Sequence, residues 1–111
     1  MSGNSNTTMT REQGIAAFEH LFKDVLGYSD SDPLLKAMDY YGITSIVDVA
    51  TLSEEEVNNL VYEDGGNEKD VPPMMRKKLL HALWWRDIEA NKRADRTADW
   101  LKLTPEIYEH F

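Results

Sequence analysis

Apolar residues return along most of this chain at the three- and four-residue spacing that lines one side of a helix. Thr10-Arg11-Glu12-Gln13 has the form of a capping box, in which the Thr hydroxyl and the Gln side chain each satisfy a free backbone amide at a helix start. Behind it Ile15, Phe18, Leu21, Phe22, Val25 and Leu26 predict a first helix. Gly27 stops it, because glycine accepts a left-handed backbone at little cost. Asp32-Pro33 joins a capping residue to proline at the first helical position, and Leu34, Leu35 and Met38 form the buried stripe of a second helix ending at Gly42. Ile43 to Ala50 reads as one short helical turn carrying Ile46, Val47 and Val49. Ser53 and Glu56 make a second capping box, with Leu52 and Val57 placed to staple across it and Val57, Leu60 and Val61 facing inward. The polar stretch from Tyr62 to Val71 predicts a loop that turns at Gly65-Gly66. From Pro73 a long helix is expected to run to roughly Asp95, with Met75, Leu79, Leu80, Leu83, Trp84 and Ile88 on its apolar side. Thr97 to Leu103 then leads to a last short helix opened by Thr104-Pro105-Glu106. No segment alternates as a strand does, so the expected fold is all-α: a bundle of about five helices with a long final helix and a short C-terminal helical appendage. Its expected divisions are a flexible arm over residues 1–9, the helical domain over 10–96 and the appendage over 97–111.

Composition narrows the class. A chain of 111 residues with 41% hydrophobic content is long enough for one core and argues against wholesale disorder. The lack of cysteine removes disulfides, thiol nucleophiles and thiolate zinc sites, and fits a reducing compartment. No apolar run approaches the length of a membrane span, and the first nine residues lack both the basic and the apolar parts of a secretory signal. An intracellular, non-secreted location is expected, in cytoplasm or nucleus, with no membrane partner. The chain stops on Phe111 without a C-cap, the form a piece of a longer polypeptide would take.

Charge is unevenly distributed. Arg76, Lys77, Lys78, Arg86, Lys92, Arg93 and Arg96 face only Asp87, Glu89 and Asp95, a net +4; the remainder carries 17 acids and five bases, −12, which together give −8. Segregated charge of this kind attracts either a second copy or an anionic polymer.

Catalytic chemistry finds little support. His20, His81 and His110 lie far apart, and none has the spacing that sets two metal ligands on one helical face. Gly65-Gly66 lacks the Lys-Ser/Thr neighbours of a phosphate loop, and the loop Glu63 to Asp70 departs from the ligand order of a calcium-binding loop. No catalytic residue, metal, cofactor or small-molecule substrate is therefore expected, and the chain is not expected to be an enzyme. Trp84 and Trp85 point about 100° apart on a helix, so both cannot face one core. Trp84 falls in the Leu80–Ile88 stripe and is expected inside. Trp85 is expected at the rim, packed on the first helix or the Trp100 segment, or serving as an exposed partner anchor.

Tyr41-Gly42-Ile43, Leu52-Ser53-Glu54-Glu55-Glu56-Val57 with Leu60, and Arg76-Lys77-Lys78-Leu79-Leu80-His81-Ala82-Leu83 together resemble a sterile alpha motif (SAM) domain over roughly residues 15 to 90. The first helix lacks that family's Trp, and the loop Tyr62 to Pro73 is longer than its usual turn. More loosely, the order of these segments and of Asp99-Trp100-Leu101-Lys102-Leu103-Thr104-Pro105-Glu106 is similar to the N-terminal, Gag-like region of copia-type retrotransposon polyproteins of microalgae. The SAM resemblance implies a compact bundle that interacts with itself or another helical domain. Glu54, Glu55, Glu56, Glu63 and Asp64 would form an acidic surface that docks on the basic Arg76, Lys77 and Lys78 of the next copy. The same resemblance admits nucleic-acid binding, in which Lys92, Arg93 and Arg96 would join those three cations against phosphates; the net −12 of the remaining chain opposes it. In the plainest reading both charged faces are ordinary solvated surface.

Overall fold

A computed structural model describes residues 9–92 and 99–111. Six α-helices among the described residues surround an apolar core: α1 Arg11–Glu19, α2 Pro33–Tyr40, α3 Ile46–Val49, α4 Glu54–Asn58, α5 Pro73–Asn91 and α6 Pro105–His110. A π-helical turn at His20–Val25 extends α1, and a 3-10 turn at Trp100–Lys102 precedes α6. Apart from Met9, the arm expected over residues 1–9 lies outside the described residues, as do residues 93–98 of the expected long helix and connector.

The helix starts follow the local chemistry. Thr10 and Gln13 close the first capping box, and Ser53 and Glu56 the second, the Ser53 amide donating to Glu56 Oε1 at 2.9 Å. Thr104 Oγ1 accepts from the Ile107 amide to open α6. Asp32 occupies the N-cap of α2 but does not cap it with its side chain; its carboxylate accepts from the Ser29 amide at 2.8 Å and closes the preceding turn instead. Gly27 and Gly42 end their helices at φ 78° and 72°.

The π turn lets four consecutive-pair positions, Leu21, Phe22, Val25 and Leu26, all reach the interior. Phe18 and Phe22 meet there with ring centroids 4.5 Å apart. Leu34, Met38, Ile46, Val49, Val57, Val71 and Leu79 complete the centre, and no polar or charged residue is buried among the described residues. Gly14 allows α1 to approach α3 closely: a Cβ there would lie 2.2 Å from the Ser45 hydroxyl, which itself caps α3 by accepting from the Val47 amide.

The chain departs from the all-α expectation over residues 61–70. Val61–Asp64 (β1) and Asn67–Asp70 (β2) form a two-stranded antiparallel hairpin in the register Val61↔Asp70, Tyr62↔Lys69, Glu63↔Glu68 and Asp64↔Asn67. Gly65 and Gly66 both have positive φ, 62° and 83°, as the tightest hairpin turn demands at its two central positions. Beyond Val61 and Tyr62 the strands are polar and lack an alternating apolar signature, because β1 leans on α2 while β2 is exposed throughout. The molecule is thus mostly helical with one small sheet.

Residues 99–111 pack onto the body. Trp100 and Leu103 are buried, and Trp100 meets Trp85 at 6.0 Å between centroids. His20 Nε2 donates to the Leu103 carbonyl at 2.6 Å and His81 Nε2 to the Tyr108 carbonyl at 3.2 Å. Tyr108 in turn donates its hydroxyl to the Lys78 carbonyl at 2.9 Å. Burial, reinforced by the neighbouring Tyr28, pushes the Tyr108 phenol up to about 12. Its proton is held more tightly in the folded chain than in the unfolded one, so this group's contribution to stability is complete below pH about 10 and lost as pH rises toward about 12. Tyr108→Phe should flatten that part of the stability–pH profile, measured by urea denaturation between neutral and alkaline pH. An unchanged alkaline slope would show that other groups cause it.

Candidate functional site

α4 abuts the start of α5, and the two elements carry charge of opposite sign. Glu54, Glu55 and Glu56 occupy the first turn of α4, where a helix N-terminus favours negative charge. Glu56 spends its carboxylate on the Ser53 amide, whereas Glu54 and Glu55 are exposed and make no ion pair among the described residues. The two hairpin acids divide. Asp64 pairs with Lys69 at 2.9 Å, and that bond holds its carboxyl below the ordinary range and the Lys69 ammonium above it. Glu63 is exposed and lines a polar cleft of about 560 Å³ with Asp30, Leu35, Lys36, Asp39 and Tyr40. The acidic surface expected from the sequence is therefore carried by Glu54 and Glu55, with Glu63 standing apart.

The three cations at the start of α5 have three different environments. Arg76 is half-buried and donates through one guanidinium nitrogen to the Asn58 carbonyl at 2.7 Å, at the C-terminal end of α4 where a cation is favoured. Its Nε is buried without a partner. Lys78 is half-buried with its ammonium 5.4 Å from the centre of the Tyr28 ring, a cation–π contact. Lys77 alone of the three is exposed, and it makes no ion pair among the described residues. The Arg76 bond also fixes the spacing of the two surfaces. They sit at opposite ends of a five-residue helix, roughly 7 Å long at the ordinary rise.

Farther along α5 the remaining cations are engaged. Arg86 bridges to Asp87 at 2.7 Å and donates to the Ala50 carbonyl at the end of α3. Lys92 is exposed and pairs with Glu89 at 2.8 Å. Arg93 and Arg96 lie outside the described residues.

Trp85 packs on the Trp100 segment, one of the places the sequence offered it, but Trp84 is not inside as expected. Trp85 is 5% exposed and belongs to the core, whereas Trp84 is 56% exposed. The buried face of α5 runs through Leu79, Ala82, Leu83 and Trp85, and not through Leu80, Trp84 and Ile88. Ala82 is fully buried on this face, and Arg86, one turn further on, reaches the Ala50 carbonyl. Trp85 is therefore not an exposed anchor. Trp84 is the exposed one of the two, in edge contact with Phe111 at 4.9 Å and His81 at 6.0 Å between centroids.

Among the described residues no group of three His, Asp or Glu side chains is arranged to hold a metal ion. None of the described helices is long and apolar enough to cross a membrane. Two residues that the charge pattern alone did not single out belong to this surface. Met74, in the first turn of α5, is 61% exposed, and Tyr41, 45% exposed, accepts from the Val61 amide beside α4. Met74 was legible as a second methionine beside Met75 that one helical face cannot accommodate. Tyr41 was legible only as part of Tyr41-Gly42-Ile43. Compared with protein-family models, curated proteins and solved structures, the chain matches none.

Proposed function

We propose that this chain is a non-enzymatic, intracellular interaction module that associates with a second copy, or a related helical domain, by docking the acidic start of α4 on the basic start of α5. The observation that carries this is that Glu54, Glu55 and Lys77 are exposed and have no ion-pair partner among the described residues, although Arg76 brings their helices into contact. Charges left unpaired within the monomer remain free to steer an encounter between monomers. Acidic and basic faces are different surfaces, so one contact leaves one of each open, and copies can add head to tail into rings or filaments. The helical part is taken as a SAM-like bundle, with the capped α4 after Gly42-Ile43 and the long α5 in the order of that family. A Gag-like assembly role is the form the looser resemblance to retrotransposon polyproteins suggests.

The nucleic-acid alternative would use Lys77 and Lys92, with Arg93 and Arg96. Arg76, Lys78 and Arg86 are engaged within the fold, and a chain of net charge −8 presents few cations to phosphate.

Light scattering tests the proposal. The native chain should form oligomers that shrink as salt rises, and Lys77→Glu should weaken association roughly tenfold or more, the size of a lost attractive contact turned repulsive. Mixing Lys77→Glu with Glu55→Lys should restore a complex, since the pair retains one native interface. A monomer at every concentration and salt would overturn self-association. A saturable titration with RNA or DNA that depends on Lys77 and Lys92 would favour the alternative.

A further inference from the structure

Charge steers association, but a stable contact also needs an apolar centre. A mainly apolar cleft of about 370 Å³ opens beside α4, lined by Tyr41, Ile43, Leu52 and Leu60, with Glu56 and Asn59 along its α4 edge. The Tyr41 hydroxyl, accepting from the Val61 amide at 3.2 Å, braces the ring as a wall of this cleft. Leu60 is buried at its base, while Ile43 and Leu52 are half-buried. Glu56 lines this cleft, and Glu54 and Glu55 precede it in the first turn of the same helix, so the socket is apolar inside with carboxylates on its α4 side.

The start of α5 has the complementary form. Met74 is the most exposed large apolar side chain among the described residues, and it does not line its own chain's cleft. Lys77 follows three residues later, one helical turn along the same side. The unbranched, flexible thioether suits an irregular cleft of this size. Apolar plug with basic collar thus matches apolar socket with acidic rim, and the same chain carries both.

We propose that Met74 of one copy seats in the Tyr41–Ile43–Leu52–Leu60 cleft of another, with Lys77 against Glu54 and Glu55. This presupposes the self-association proposed above and names its apolar contact. Met74 and the cleft would be buried together at the centre of the contact, the lysine–glutamate pairs forming its rim. Other occupants of the cleft, such as an unrelated apolar side chain of a foreign protein, would leave Met74 without a role.

The chain contains no cysteine, which permits a direct test. Met74→Cys and Asn59→Cys, prepared separately and mixed under mild oxidation, should yield a disulfide-linked heterodimer that neither variant gives alone to the same extent. High salt or an added Lys77→Glu change should suppress it. Met74→Ala, at an exposed position that folding does not depend on, should weaken association roughly tenfold, as expected for loss of one large buried apolar side chain. If oligomers form and Lys77→Glu dissolves them, yet the cross-link is absent and Met74→Ala changes nothing, the plug and socket are wrong while self-association stands. If the native chain never leaves the monomer, both fall.

Discussion

Trp85→Ala is expected to remove about 3–5 kcal/mol of folding stability, whereas Trp84→Ala, one residue away, should cost under about 1 kcal/mol. Trp85 is 5% exposed and packs on Trp100, so its truncation leaves a cavity in the layer that joins α5 to the C-terminal segment. Trp84 is 56% exposed, and what it loses is edge contact with Phe111 and His81 at the surface. Against the total of about 5–15 kcal/mol typical of a domain, the first loss places the protein near its unfolding threshold. Urea denaturation followed by circular dichroism measures both. Equal losses for the two variants would contradict the assignment of the buried face of α5.

Deleting residues 99–111 is expected to abolish cooperative unfolding, because the segment supplies part of the core and not merely a tail. Trp100 and Leu103 are 4% and 0% exposed, and each would leave an uncovered apolar site costing about 2–5 kcal/mol. The His20 and His81 bonds to the Leu103 and Tyr108 carbonyls would go with them. Leu103→Ala is the milder variant and should cost about 2–5 kcal/mol while leaving the transition cooperative. A truncated chain that still unfolds cooperatively at an unchanged midpoint would show that α1 to α5 stand alone.

Much of the candidate site was legible from residue type, and its limits show why the rest was not. The clustering of Glu54, Glu55 and Glu56 at a capped helix start and of Arg76, Lys77 and Lys78 behind two prolines was visible along the chain. Whether any of those charges was free was not. Arg76 turns toward a carbonyl of α4, Asp64 pairs across the hairpin with Lys69, and Lys78 lies over Tyr28. Each of those partners is remote enough in sequence, or of a kind that spacing rules ignore, to escape a linear reading. Of those clustered charges Glu54, Glu55, Glu63 and Lys77 are exposed and have no ion pair among the described residues, while Glu56, exposed as well, is bonded to the Ser53 amide.

The hairpin is a different case. Gly65-Gly66 between two four-residue segments carried the turn signal, but apolar alternation was missing because β2 has no buried side. Pairing there comes from the turn and from β1 resting on α2, which no periodicity within residues 61–70 encodes.

By itself, the amino-acid order determined where helices begin and end, through the capping boxes at Thr10 and Ser53, the prolines at 33, 73 and 105 and the glycines at 27 and 42. Those devices act within one turn of the backbone, so neighbours in sequence suffice to specify them. Tertiary structure alone decided which side of α5 faces inward, which tryptophan is buried, and which of the three cations at the start of α5 reaches solvent. Leu79 and Leu83 are compatible with either of two apolar stripes on that helix, and the partners met on the inward side, the Ala50 carbonyl for Arg86 and Trp100 for Trp85, are distant along the chain and positioned only by packing.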